Sequence, residues 1–283
     1  MIDAHVHLWD PAVLTYQWLE GSELRRPMLP AEFDRGGVGV EGAVFVQAAD
    51  GPSDPVVEAR WVDALDWPEL LAIVADADLG ARAVDQHLEA LAAIPRVAGV
   101  RHLLQDLTVD TFPTLAPGLA ALAARGGTFD ACLRHAQLPA LIELLREAPE
   151  LTVVVDHVAK PPMGEGIDSA AGAAWARSLA LLAERPRTFV KLSGLTGEAR
   201  DTTEVKRNAP AFLAHAVEVF GPERSMIASD WPVSSYFGAG GSFADWVEMV
   251  RDVVPAEGWD EVAEGAVRRA YLPGGAPALA RGV

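Results

Sequence analysis

Three scarcities narrow what this 283-residue chain can be. It has one cysteine, Cys132, which excludes an intramolecular disulfide and fits a reducing compartment. Basic residues are few: 23 Lys and Arg against 40 Asp and Glu leave a net charge of −17. That balance opposes binding to nucleic-acid phosphates or to anionic lipid, because both need clustered cations. No apolar run approaches the roughly 18 residues of a membrane-spanning helix, and no basic, apolar leader precedes the first apolar run. A cytoplasmic protein with neither a membrane nor a nucleic-acid partner is expected. Linker-like, low-complexity and repeated stretches are also missing, so residues 1–283 read as a single domain. Assembly into a homo-oligomer is allowed, but no motif sets a subunit count. What the chain has in quantity is apolar residues, 50% of the total, enough for a sizeable core.

Those residues are concentrated in eight runs, around 2–8, 42–48, 70–76, 97–104, 128–133, 151–157, 188–194 and 225–230. Between most of them lie helical stripes. Leu138, Leu141, Ile142 and Leu145 follow the i, i+3, i+4, i+7 spacing, as do Leu213, Ala216, Val217 and Phe220. Strands this uniformly apolar have no wet face and belong in a parallel sheet covered on both sides. Eight alternating units predict an α/β fold, a (β/α)8 TIM barrel. An open doubly wound sheet shares the alternation.

The polar residues favour the barrel, whose enzymes build their sites at the C-terminal ends of the strands. The runs close on His5 and His7, Gln47, Asp76 and Asp78, Arg101 and Gln105, Arg134, His157 and Lys160, Lys191 and Ser193, and Asp230. Counting by twos puts Asp3, His5 and His7 on one strand face. It likewise groups Asp130 with Cys132 and Arg134, Val153 with Val155 and His157, and Met226 with Ala228 and Asp230. Charges in register with buried residues are costly unless they meet a partner or a ligand. His5, His7, His157 and Asp230 therefore make a candidate shell for one divalent, zinc-like ion with an open position for water. One connection is long. Residues 9–41 carry Trp9, Tyr16, Trp18, Arg25 and Arg26, and a loop of that kind either covers a site or packs as its own small core.

Six ordered stretches then resemble a known group. They are Ile2-Asp-Ala-His-Val-His-Leu-Trp9, Gly99-Val-Arg-His-Leu-Leu-Gln-Asp106, Phe129-Asp-Ala-Cys-Leu-Arg134, Asp156-His-Val-Ala-Lys-Pro161, Lys191-Leu-Ser-Gly-Leu195 and Ser229-Asp-Trp-Pro232. Together they resemble the amidohydrolase superfamily, in the branch of sugar lactonases and the pyrone dicarboxylate lactonase, with the L-fuconolactonase type most similar. The resemblance implies hydrolysis of a cyclic ester. Asp230 matches the water-activating aspartate, and His5, His7 and His157 match the histidines that bind metal or polarise the carbonyl. Val97 to Gln105 holds no lysine, which argues against a two-metal centre, and members differ over whether they need a metal at all. Metal-independent catalysis therefore stays open. The tail Gly265-Ala-Val-Arg-Arg-Ala-Tyr271 departs from the branch by lacking a polar residue after Gly265, and His135 stands where relatives often have proline.

The expected substrate is a sugar-derived lactone such as L-fuconolactone or L-rhamnonolactone. Arg101, Arg134, Lys160 and Lys191, with Trp18 from the long loop, would bind it. Lys191 has a second reading as half of a buried ion pair. Arg101 is expected to point inward and His102 outward, His87 to pack in the core, and His215 to be solvated. His135 has no assigned role, and Gly238-Ala-Gly-Gly241 reads as a plain loop rather than a dinucleotide fingerprint. Two rival functions share the shell: a metal-assisted decarboxylase and a non-catalytic barrel that binds a sugar acid.

Overall fold

A computed structural model describes residues 1–50, 55–277 and 279. Eight strands follow one another around a sheet: β1 Ile2–Val6, β2 Gly42–Val46, β3 Leu70–Asp76, β4 Val97–Leu103, β5 Thr128–Cys132, β6 Thr152–Val155, β7 Thr188–Leu192 and β8 Ser225–Ile227. Each pairs in parallel with the next in sequence. All eight predicted runs are strands, shorter than predicted mainly at their C-terminal ends. Every residue of β1, β2, β5, β6, β7 and β8 is buried, which is why those segments carry no polar alternation.

The helices are α1 Pro55–Asp63, α2 Val84–Ala92, α3 Ala116–Ala124, α4 Leu138–Leu144, α5 Ala170–Ala183, α6 Leu195–Glu198, α7 Thr202–Phe220, α8 Val233–Tyr236, α9 Phe243–Val253 and α10 Ala266–Tyr271. Side-chain oxygens of Ser169, Asp201 and Ser242 accept amides of the first turns of α5, α7 and α9. Each such cap is worth about 1 kcal/mol. The stripe Leu213, Ala216, Val217 and Phe220 is buried along α7. Burying a large apolar side chain of this kind contributes about 1.5–3 kcal/mol.

Two apolar layers result. Ile2, Ala4, Val44, Val46, Ala72, Val74, Ala98, Val154, Met226 and Ala228 fill the inside of the barrel, together with Ala266, Val267, Ala270 and Tyr271 of α10. The outer layer sets Phe45, Ile73, Phe129, Val153, Val155, Val190 and Ile227 against the helices. The barrel closes just beyond β8. The Asp230 amide donates to the His5 carbonyl at 3.0 Å, and the His7 amide donates to the Trp231 carbonyl at 2.8 Å. Closure thus places the first histidine pair beside an aspartate 223 positions beyond His7 (230 − 7).

Candidate active site

Four donor atoms meet at the mouth of the barrel. His5 Nε2 lies 3.0 Å from His7 Nε2. Asp230 Oδ1 lies 3.6 Å from His5 Nε2, 3.4 Å from His7 Nε2 and 3.8 Å from His157 Nε2. Ligands about 2.0–2.2 Å from a tetrahedral ion stand roughly 3.3–3.6 Å apart, so His5, His7 and Asp230 are close to the spacing that a divalent ion requires, with His157 at the edge of the set. His5, His7 and Asp230 form one group able to hold a metal, and His5, Asp156 and His157 form a second that shares His5. The outer nitrogens are also provided for. His7 Nδ1 donates to the Val46 carbonyl at 2.8 Å, which leaves its Nε2 lone pair facing the cluster. His157 Nδ1 is 2.9 Å from Ser193 Oγ. Burial lowers the pKa of both His5 and His157, favouring the neutral form that donates a lone pair. Burial opposes the charge of Asp230, but the imidazoles of His157, His7 and His5 outweigh it and hold the carboxyl below its ordinary range. Ser234 Oγ donates to Asp230 Oδ2 at 2.7 Å and leaves Oδ1 facing the histidines.

The backbone aims these groups in a way that period-two counting did not anticipate. Val153 and Val155 face the outer layer and Val154 the inner one, so His157 is not in register with the first two. It reaches the cavity because His157, Val158, Ala159 and Lys160 all have left-handed φ, between 45° and 57°. Such a conformation costs about 1–2 kcal/mol per residue outside glycine, so it must be held from outside the turn. Trp175 Nε1 donates to the Val158 carbonyl at 2.8 Å, and His135 Nδ1 lies 3.0 Å from the Lys160 carbonyl. His135 therefore has a contact that its sequence position did not suggest. Gly194 completes the support: a Cβ there would lie 2.4 Å from His157 Nδ1. Asp230 is also left-handed, at φ 54°, past the end of β8 at Ile227. In β1 the pairing is irregular between Asp3 and Val6. The Asp3 carboxylate consequently takes the amides of His5 and Ser229, while His7 lines the cavity and His5 sits behind it.

Beneath His5 lies a sealed group of charges. Lys191 Nζ is 2.6 Å from Asp130 Oδ2, 2.9 Å from Asp156 Oδ1 and 3.1 Å from His5 Nδ1, and Lys191, Asp130 and Asp156 are 0% exposed. The Tyr271 hydroxyl donates to Asp130 Oδ2 at 2.7 Å. Burial opposes the charge of Asp156, but Lys191 and His5 outweigh it and keep the carboxyl well below its usual range. Burial pushes Asp130 up to about 6 against the pull of Lys191. Lys191 is thus corrected from a substrate contact to the centre of a buried ion pair, because its ammonium has no path to the cavity. Asp156, Asp130, Ser193 and Tyr271 were not among the predicted site residues. Asp156 could have been found as the immediate neighbour of His157, whereas Ser234 carried no sequence signal.

Above the histidines opens a cavity of about 430 Å³, within the usual range of small-molecule sites. His7, His157 and Asp230 form part of its base. Gln47, Arg101, Gln105, Cys132, Lys160 and Glu198 supply polar wall, and Trp18, Leu103, Val233 and Phe237 supply apolar wall. Arg101 points inward as predicted, with Nε donating to Gln47 Oε1 at 2.7 Å and Nη1 3.7 Å from Asp156 Oδ2. Lys160 pairs with Glu198 at 3.0 Å. Trp18 comes from the long loop, whose other three aromatics, Trp9, Tyr16 and Phe33, join the outer core. Arg134 is exposed and outside the lining, so its placement as a substrate contact is corrected; β5 ends at Cys132, two residues before Arg134, and a helical turn starts at His135. His102 points outward as expected, with Nδ1 3.0 Å from the Ala77 carbonyl. His215 is not free in solvent: it packs on Trp175 and lies 3.1 Å from the Ala176 carbonyl.

No helix among the described residues is long and apolar enough to cross a membrane. The chain is 31% identical over 267 residues to an L-fucono-1,5-lactonase of Burkholderia ambifaria, covering 89% of this chain and 88% of that one. It is 25% identical over 315 residues to an L-rhamnono-gamma-lactonase of Scheffersomyces stipitis, covering 92% and 94%. Its fold matches the crystal structure of an amidohydrolase from Burkholderia multivorans with bound zinc, with a TM-score of 0.81, 27% identity and coverage of 95% and 98%. The amidohydrolase family profile matches residues 2–269. With the barrel and the histidine cluster that the profile spans, this chain belongs to the amidohydrolase family.

Proposed function

We propose that the protein hydrolyses a neutral, sugar-derived lactone, an aldonolactone of the L-fucono or L-rhamnono kind, and that residues 1–283 work as one catalytic domain. The convergence of three imidazoles on Asp230 Oδ1, at 3.4–3.8 Å, carries this reading. The two lactonase relatives support the substrate class. The charges of the cavity narrow it further. Both lining cations are engaged, Arg101 with Gln47 and Asp156 and Lys160 with Glu198, while Asp50, Asp106, Glu198 and Asp230 all line the wall. A ring carrying hydroxyls suits such a wall; a substrate carboxylate finds no unpaired cation among the described lining residues. The same point disfavours the decarboxylase reading.

His5, His7 and Asp230 fit one divalent ion, zinc by their imidazole and carboxylate character, and His157 would complete the set. When bound it would supply Lewis acidity toward the ester carbonyl. The chain's own groups supply the rest. The lactone lies with its carbonyl oxygen toward the imidazoles and its ring against Trp18. Asp230 takes a proton from water as the water oxygen bonds to the carbonyl carbon. The tetrahedral oxyanion forms facing the imidazoles of His7 and His157, whose fixed dipoles stabilise it. The ring C–O bond breaks, and the departing alkoxide recovers the proton from Asp230. The acid produced then ionises, releasing one proton per turnover.

The test is proton release from an aldonolactone panel by the wild type and D230N, with metal analysis of the same preparations. Loss of the base should lower kcat by about 10² to 10⁴. Near-wild-type turnover by D230N would remove Asp230 from this role, and carbon dioxide release would point to the decarboxylase.

A further inference from the structure

The lining residue Trp18 is 38% exposed, and an indole that open to solvent needs holding if it is to form a fixed wall. Its indole Nε1 donates to the Ala48 carbonyl at 2.8 Å. Its backbone amide donates to Asp50 Oδ2 at 3.1 Å, and the Gln17 amide donates to the other oxygen of the same carboxylate. Tyr16 forms a bridge with Asp50. All these contacts end on residues 48–50, the segment that follows β2, which is itself irregular and needs an anchor. The anchor is Glu58 of α1, only 3% exposed. Its Oε1 accepts the amide of Ala49 at 2.7 Å and that of Ala48 at 3.1 Å. Without it, two amides at the end of β2 would lack their partner, at about 1–3 kcal/mol for each one left buried.

We propose that Glu58 is a positioning residue for the substrate: by fixing residues 48–50 it clamps Trp18 in place over the cavity. This rests on the lactonase reading, in which Trp18 bears on the lactone ring. Glu58 touches neither the cavity nor the histidines, so its loss should weaken binding and spare the chemistry. The histidine anchor is separate, since His7 Nδ1 is held by Val46, whereas Arg101 reaches the clamp through Gln47, whose Nε2 donates to the Ala49 carbonyl at 3.0 Å.

The experiment compares E58M, which has no acceptor, with E58Q, whose single carbonyl oxygen can still take both amides. On a hydrolysed aldonolactone, E58M should raise KM about tenfold with kcat within twofold, and E58Q should restore KM to within twofold of wild type. In a W18A background E58M should add less than a twofold change, because the wall it positions is gone. The proposal falls if E58M leaves KM unchanged, lowers kcat as much as it raises KM, or keeps its full effect without Trp18. Should E58M fail to fold, E58D, whose carboxylate is one methylene short of both amides, cuts the same clamp outside the cavity lining and should raise KM with kcat kept; an unchanged KM there would equally overturn the proposal. Amide hydrogen exchange at Gln17 and Trp18 separates this inference from the functional reading. Faster exchange in E58M supports the clamp even if no lactone is turned over, and unchanged exchange refutes it.

Discussion

Lys191 lies in β7 and Lys160 in the turn after the neighbouring β6, each faces acid, and in the sequence both read as substrate contacts. The barrel treats them differently. Lys191 is 0% exposed between Asp130 and Asp156 below the histidines, whereas the Lys160 side chain is 17% exposed and meets Glu198 on the cavity wall. Depth decides what each pair is worth. In the sealed region the carboxylates have no water to fall back on, so the ammonium is a condition of folding. On the wall, solvent stands in for either partner. The floor thus holds His5 in place, and the wall remains free to meet a ligand.

The largest effect that would sharpen this contrast is that of K191M. It leaves two buried carboxylates without their cation and should cost about 3–5 kcal/mol in urea unfolding. A loss below 1 kcal/mol would dissolve the distinction between floor and wall. Next comes Glu58, another buried acid. Burial pushes it up to about 7 from 4.5, against the pull of the Ala49 and Ala48 amides. A raised carboxyl means that ionisation costs the folded chain more than the unfolded one. Its contribution is therefore whole below pH 4.5 and declines as the pH climbs to about 7. E58Q lacks that decline, so its stability relative to wild type should grow across this window by up to about 3 kcal/mol and level off above it. Denaturant melts at pH 5 and pH 8 would check the slope; a flat difference would mean that the acid is not shielded as its burial implies. The smallest stability effect belongs to K160M, under about 1 kcal/mol. Its KM for a lactone should nevertheless rise severalfold. Destabilisation as large as that of K191M would place Lys160 with the floor instead.

Much of the barrel was legible because burial on both faces leaves a plain compositional mark: all eight strands lie within the apolar runs. The donors His5, His7, His157 and Asp230 were legible too, as polar interruptions at the ends of those runs. Their orientation was not. His157 opens a left-handed turn supported by Trp175, His135 and Gly194, and no period in the sequence encodes such a turn. Arg134 was misplaced by extending strand geometry two residues beyond the end of β5. Lys191 was ambiguous because a lysine at a strand end looks the same whether it ends in water or in a carboxylate pair.

Residue chemistry and apolar spacing were sufficient to establish the eight strands and to single out His5, His7, His157 and Asp230 as candidate donors, because each depends on local composition or short-range periodicity. Which charges are sealed and which are open was settled only when β1 met the segment after β8. That closure joins residues more than two hundred positions apart, and the dielectric around a side chain is a property of everything folded against it rather than of its neighbours in the chain.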